Sequence, residues 1–260
     1  YENLFSVFFI DKYTGWAVGG TGDILYHTTE LNEMELIWKV DRSQLPAGGS
    51  SWSTPLIMNN KLFWAGQDRG FAALDAETGD ILWMDTLNFL NGTYDSPVGA
   101  NGKVFISNNN YMDPTNRNLI AFDAETGDTI WKKRNFYTVN RSSKPIVVEP
   151  MSQGGKLYAA SNDTLYCFDI NDGSVLWQRA GKYSNLLVDY NSVRLFAARS
   201  DNAVIDVFNV YNGELFWSKS LPDNGVSIAS LAYTIYYSQG ESYEFLVIAP
   251  GTRAKPIFYC

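Results

Sequence analysis

Four times the chain repeats one short phrase: a hydrophobic residue, an Asp or Asn, a few turn residues, a Gly, and a Trp four positions after that Gly. The copies run from Leu74-Asp75 through Gly79 to Trp83, and from Phe122-Asp123 through Gly127 to Trp131. Two more run from Phe168-Asp169 through Gly173 to Trp177, and from Phe208-Asn209 through Gly213 to Trp217. These tryptophans stand 48, 46 and 40 positions apart, Trp38 lies 45 before Trp83, and Tyr259 follows Trp217 by 42 where a sixth Trp would stand. A period in this range is that of a propeller blade, a sheet that cannot bury its faces alone and must stack on its neighbours.

Each unit carries short runs of β-type residues separated by turn signals, as in Trp52 to Ile57, Lys61 to Ala65, Gly70 to Leu74 and Ile81 to Met84. Four short strands per unit match a blade. No stretch keeps a 3.6-residue period, so helix is expected to be scarce. The expected fold is all-β, a six-bladed β-propeller of four-stranded antiparallel blades. It forms one domain over residues 1–260, with blades at approximately 1–41, 42–86, 87–134, 135–180, 181–220 and 221–260.

The repeated phrase has a physical task. Asp, Asn and Thr side chains hydrogen-bond their own backbone in tight turns, and Gly accepts the positive φ that closes a hairpin. Trp38, Trp83, Trp131, Trp177 and Trp217 then fall on the outermost strands, where an indole can fill the wedge between neighbouring blades. Burying ~200 Å² of indole at roughly 25 cal/mol per Å² contributes at most about 5 kcal/mol per site.

From Ser53 to Trp217 the chain resembles the pyrroloquinoline-quinone-like (PQQ-like) repeat family of β-propellers. Besides the turn phrase, the likeness includes a lead-in of Pro, an aliphatic pair, Gly or Asn, then Lys and an apolar strand. That lead-in appears at Pro55-Leu56 to Lys61, Pro97-Val98 to Lys103, and Pro145-Ile146 to Lys156. The first unit, from Gly15-Trp16 to His27-Thr28-Thr29, partly resembles photosystem-assembly-factor and sialidase-type repeats. In the last unit Pro250-Gly251-Thr252 replaces the Asp-x-x-x-Gly turn.

A net charge of -8 and a pI near 4.7 argue against nucleic acid and bare anionic lipid as ligands. No apolar run approaches the ~18 residues of a membrane-spanning helix. The opening at Tyr1 without Met suggests a processed chain or an excised domain. Cys167 lies in an alternating strand and reads as an inert packed thiol, and the position of Cys260 two blades further on disfavours a bond between the two. Asn-x-Ser/Thr triplets at Asn91, Asn140 and Asn162 occur at about the chance rate and carry no weight.

Members of the resembling family include quinone-dependent alcohol dehydrogenases, which imply a quinone and a calcium ion over a central channel. This chain has no adjacent Cys pair and no assignable calcium cluster, so no cofactor is expected. Acidic turns such as Asp75-Glu77-Asp80 supply too few oxygens for calcium and read as self-capped hairpins. His27 is the only His, which excludes a His-rich metal site and leaves no nucleophile elbow beside it.

Apolar residues placed in connections rather than strands stand out. Leu87, Phe89 and Leu90 precede blade 3, Tyr111 and Met112 lie in the polar loop from Asn108 to Asn118, and Phe136 and Tyr137 precede blade 4. Arg69, Arg117 and Arg199 fall in loops expected on the same face. Such a set suits a protein-binding patch, with folding back into the channel as the alternative. The expected function is therefore a non-catalytic, extracytoplasmic binding or assembly scaffold, as the family's outer-membrane assembly members imply. A carbohydrate-binding or carbohydrate-active propeller is the second reading, and a quinone oxidoreductase the third.

Overall fold

The computed structural model describes residues 4–9, 14–19, 24–28, 35–40, 44–45, 53–66, 70–89, 93, 95–108, 116–136, 146–148, 155–189, 193–220, 228–238 and 241–250. The chain divides into two compact units, Tyr1–Phe136 and Tyr137–Cys260.

The first unit holds three four-stranded sheets. Strands β1 (Leu4–Phe9), β2 (Thr14–Gly19), β3 (Ile24–Thr28) and β4 (Glu35–Val40) form the first. The second comprises β5 (Leu56–Met58), β6 (Lys61–Ala65), β7 (Phe71–Asp75) and β8 (Ile81–Asp85). In the third are β9 (Val98–Ala100), β10 (Lys103–Ser107), β11 (Asn118–Asp123) and β12 (Thr129–Arg134).

The second unit holds two more sheets and a hairpin. Strands β13 (Ile146–Val148), β14 (Lys156–Ser161), β15 (Thr164–Asp169) and β16 (Val175–Ala180) form the fourth sheet. The fifth is β17 (Tyr183–Val188), β18 (Arg194–Arg199), β19 (Val204–Asn209) and β20 (Leu215–Ser220). Where four strands were expected in the last repeat, the described residues form a two-stranded hairpin of β21 (Ile228–Ser238) and β22 (Glu241–Pro250). All pairings are antiparallel between consecutive strands.

Period-2 alternation sends each inner strand into two cores at once. On β6 and β7, Leu62, Trp64, Ala72 and Leu74 pack with Trp16 and Val40 of the first sheet. The alternate set, Phe63, Ala65, Phe71 and Ala73, packs with Val104, Ile106, Ile120 and Phe122 of the third. In the second unit Tyr158, Leu165 and Cys167 of the fourth sheet meet Leu186, Val188, Leu195 and Ala197 of the fifth. The hydrophobic core therefore lies between sheets, which is why strands that alternate in sequence are buried on both faces.

The outermost strands follow another rule. In all five four-stranded sheets the register slips by one residue just before the tryptophan, at Tyr26/His27, Ala73/Leu74, Ala121/Phe122, Cys167/Phe168 and Val207/Phe208. The residue left over is Ile37, Leu82, Ile130, Leu176 or Phe216, and each is exposed. A bulge inserts one residue and bends the strand; at Trp38, Trp83 and Trp177 the indole that follows it meets the next sheet.

Trp38 Nε1 donates to the Ala76 carbonyl (3.2 Å), Trp83 Nε1 to Ala124 (3.1 Å), and Trp177 Nε1 to Val210 (3.1 Å). In each case the acceptor is the residue after the Asp or Asn of the next sheet's turn. The same indoles lie against the turn glycines: a Cβ built on Gly79, Gly127 or Gly213 would stand 2.7, 2.6 or 2.6 Å from the ring of Trp38, Trp83 or Trp177. Trp217 differs, being 43% exposed and touching Phe196 of its own sheet edge-on. The expectation that it is covered by the next repeat is corrected here: the indole is exposed, and among the described residues of the last repeat no Asx-x-x-x-Gly turn lies against it.

Candidate interaction face

The turns that close the third and fourth strands use their acids locally. Asp75 Oδ1 accepts from the backbone of Glu77 (2.8 Å) and Thr78 (2.9 Å), and Asp123 Oδ1 from Glu125 (2.8 Å) and Thr126 (3.0 Å). Bonds from Thr78 and then Glu77 hold the Asp75 carboxyl below the ordinary carboxylate range, and Thr126 and Glu125 do the same for Asp123. Among the described residues no three His, Cys, Asp or Glu side chains converge as a metal site would require. His27 pairs through its backbone with Gly15 and Leu36 inside the first sheet.

At the opposite end of the first unit's sheets lies the link from β8 to β9. Asp85 Oδ1 accepts from the backbone N–H of Leu87 and of Asn88, both at 2.9 Å, while Asn88 Nδ2 donates to Asp85 Oδ2 (2.6 Å). Lys132 Nζ donates to Asn88 Oδ1 (2.7 Å), and Asn108 Nδ2 donates to the Asn88 carbonyl (2.6 Å). Burial lowers the Lys132 pKa, the nearby Arg134 charge adds to this, and Asp85 opposes it. These bonds fix a short turn whose tip, Leu87, is 81% exposed.

The next residue but one goes the other way. Gly70 N donates to the Phe89 carbonyl (3.0 Å), and the Phe89 ring sits 5.5 Å from Phe71 and 6.2 Å from Phe122. At 1% exposure it belongs to the core between the second and third sheets. Phe136 is buried too, its N–H bonded to the Arg117 carbonyl at 2.9 Å. Both rings are buried, so the expected patch is corrected at Phe89 and Phe136; at Phe89 the connection fills the space between the second and third sheets with its own aromatic.

The loop from Asn108 is anchored at its base by Asn108 N to the Asn118 carbonyl (2.9 Å) and Asn118 N to Asn108 Oδ1 (2.5 Å). Half-buried Arg117 stands beside this clamp. Leu87 and Arg117 thus remain as described surface residues of the face, whereas Arg69, Leu90, Tyr111, Met112 and Tyr137 lie outside the described residues.

In the second unit, sheet five holds a polar node that the repeat pattern did not single out. Asp206, fully buried on β19, accepts from Tyr183 Oη (2.8 Å) and Arg199 Nε (2.8 Å) and makes a short bond with Ser218 Oγ. Each of the four strands contributes one member. Burial, followed by the hydrogen bond and charge of Asp206, raises the Tyr183 pKa, so the phenol stays protonated and acts as a donor. The visible signal was an Asp inside the run Val204-Ile205-Asp206-Val207-Phe208, where the other repeats are apolar or aromatic.

A family model described as outer membrane protein assembly factor BamB matches residues 29–149 and 115–251. No curated protein matches the chain. Among solved structures, BamB from Moraxella catarrhalis superposes with a TM-score of 0.67 at 16% identity, covering 98% of this chain and 75% of that one. A europium-containing methanol dehydrogenase superposes at 0.59 with 12% identity, over 81% of this chain and 50% of that one. At such identities the likeness speaks for the fold, an all-β propeller of four-stranded antiparallel sheets.

Proposed function

Because the chain belongs to the PQQ-like repeat family described as outer membrane protein assembly factor BamB, we propose that it is a non-catalytic scaffold that binds a protein partner outside the cytosol. The six repeats act as one propeller domain over residues 1–260, and the face carrying the links between sheets meets the partner. The observation that supports this most directly is Leu87. A leucine that is 81% exposed gains nothing for folding, yet five hydrogen bonds among Asp85, Leu87, Asn88, Asn108 and Lys132 hold its turn in one geometry. Pre-ordering an apolar tip lowers the entropy lost on association. Arg117, next to Asn118 in the loop base whose Asn108 bonds Asn88, supplies a polar contact, and arginine is enriched where interfaces carry their binding energy.

The test is a pull-down from native extract with the wild-type chain against a Leu87→Ser, Arg117→Gln double variant. Loss of a specific partner, with an unchanged melting curve, is the expected result. Partners retained in full by the variant would exclude this face as the contact.

A further inference from the structure

Charge is unevenly distributed along the third sheet. The three residues after its outer-strand tryptophan are Lys132, Lys133 and Arg134, whereas Lys39-Val40-Asp41, Met84-Asp85-Thr86, Gln178-Arg179-Ala180 and Ser218-Lys219-Ser220 each bring at most one cation. A need of the fold would recur in the other sheets, and this feature does not. At the far end of the same hairpin, beyond the Phe122–Thr129 pair, stand Asp123, Glu125 and Asp128. A six-residue strand spans ~20 Å, more than the ~8 Å over which physiological salt screens charge, so the two ends act separately.

The cationic end adjoins the ordered turn at Leu87. Lys132 Nζ donates to Asn88 Oδ1 (2.7 Å), and alternation puts Lys132 and Arg134 on the same side of β12. Arg134 stands opposite Asn118, whose N–H donates to Asn108 Oδ1 (2.5 Å), and Asn108 Nδ2 reaches the Asn88 carbonyl. The carboxylate of this network, Asp85, is taken by neutral donors: the N–H groups of Leu87 and Asn88 and the Asn88 amide. Among the described residues neither Lys132 nor Arg134 forms an ion pair. In sequence, the connections at 90–92, 109–115 and 135–145 add one acid, Asp113, against two further cations, Arg141 and Lys144. The corner therefore keeps a local cationic excess in a chain whose net charge is -8.

We propose that this corner receives an acidic segment of a protein partner, with an apolar side chain against Leu87 and aspartate or glutamate side chains reaching Lys132 and Arg134. This deepens the partner-binding reading and rests on it. Complementary charge at an interface sets on-rate and partner choice more than affinity, so Leu87 supplies contact and the cations supply selection. An anionic bilayer fits less well. Each basic side chain is worth about 1 kcal/mol at such a surface, and the net charge of -8 opposes the approach of an extended anionic plane.

The probe is a short fluorescein-labelled peptide alternating leucine and glutamate, with a second peptide carrying glutamine in place of glutamate. Binding to the intact 260-residue chain is followed by anisotropy. Saturable binding of the glutamate peptide is expected, weakened about fivefold by Arg134→Gln, the upper range for one exposed ion pair, and further by Arg134→Glu and by added salt. Arg134 takes no part in the bonds that hold the turn, so these variants leave Leu87 in place. Lys219→Gln, the same loss of charge on β20, is expected to change nothing. No binding, equal binding of the glutamine peptide, or an equal loss with Lys219→Gln overturns the proposal. So does displacement of the peptide by phosphatidylglycerol vesicles that bind with the same dependence on Arg134, which assigns the corner to lipid. Binding seen with the 260-residue chain but absent from the polypeptide isolated from its source overturns it too, since the acids then come from that same polypeptide. The partner-binding reading fails separately, when the extract partner survives Leu87→Ser, Arg117→Gln. A partner lost with that variant yet retained in full by Arg134→Gln leaves the face standing and removes only the acidic segment.

Discussion

Replacing Gly127 by Ala separates two reasons for a glycine in the repeated turn. Gly127 has φ +75, and its added Cβ would meet Trp83 Cδ2 at 2.6 Å and Cε3 at 2.8 Å. Gly102 in the same sheet has φ +70 with nothing within 4 Å of the built Cβ. Both variants incur the left-handed backbone term of about 1–2 kcal/mol. Only Gly127→Ala adds overpacking, about 1–3 kcal/mol, because Trp83 is pinned by its bond to Ala124 and by rings of Phe63, Phe71 and Phe122 around it. Urea denaturation of the two variants should therefore differ by about 1–3 kcal/mol, with Gly127→Ala the less stable. In a Trp83→Leu background the difference should largely vanish, since the two positions couple through that one contact. Equal losses in the wild-type background would refute the claim that the indole, and not the turn, demands glycine there.

Phe89→Ser should destabilise by about 3–5 kcal/mol, as core phenylalanine truncations do, whereas Leu87→Ser should shift stability by under about 0.5 kcal/mol. Comparable losses would place both residues in the core. Removing one partner of the sheet-five node by Asp206→Ala should cost about 3–5 kcal/mol, because it strands the Arg199 charge and the Tyr183 hydroxyl; a melting curve matching wild type would contradict this. The Asp75 and Asp123 carboxyls titrate below their ordinary value of 3.8 in the folded chain. Their contribution is thus complete above that value and is lost as pH falls through the lower folded pKa. Acid titration of an Asp75→Asn, Asp123→Asn variant should show a shallower loss of stability below about pH 4, and an unchanged slope would remove these turns from the acid response.

Of the candidate face, the sequence marked Leu87 as an apolar residue out of place in a connection, and the structure leaves it exposed. Leu87 and Phe89 both sit in a connection and both are apolar, so sequence treats them alike. What separates them is direction. The Asp85 carboxylate caps the turn at Leu87, while the Phe89 carbonyl bonded to Gly70 swings its ring between Phe71 and Phe122. The pattern Asp85-Thr86-Leu87-Asn88 was a readable Asx-turn signal, but nothing local says which of two hydrophobes a wedge between sheets will admit.

Sequence alone determined the repeat, the strand content and the chemistry of the turn, because period, alternation and Asx–Gly turns are local properties of a chain. It also placed the tryptophans on outermost strands. Only the tertiary structure decided what each indole meets, since that depends on a neighbouring sheet roughly a full repeat away. Trp177 finds Gly213 and a carbonyl; Trp217, spelled identically in its own repeat, finds a two-stranded hairpin and stays exposed.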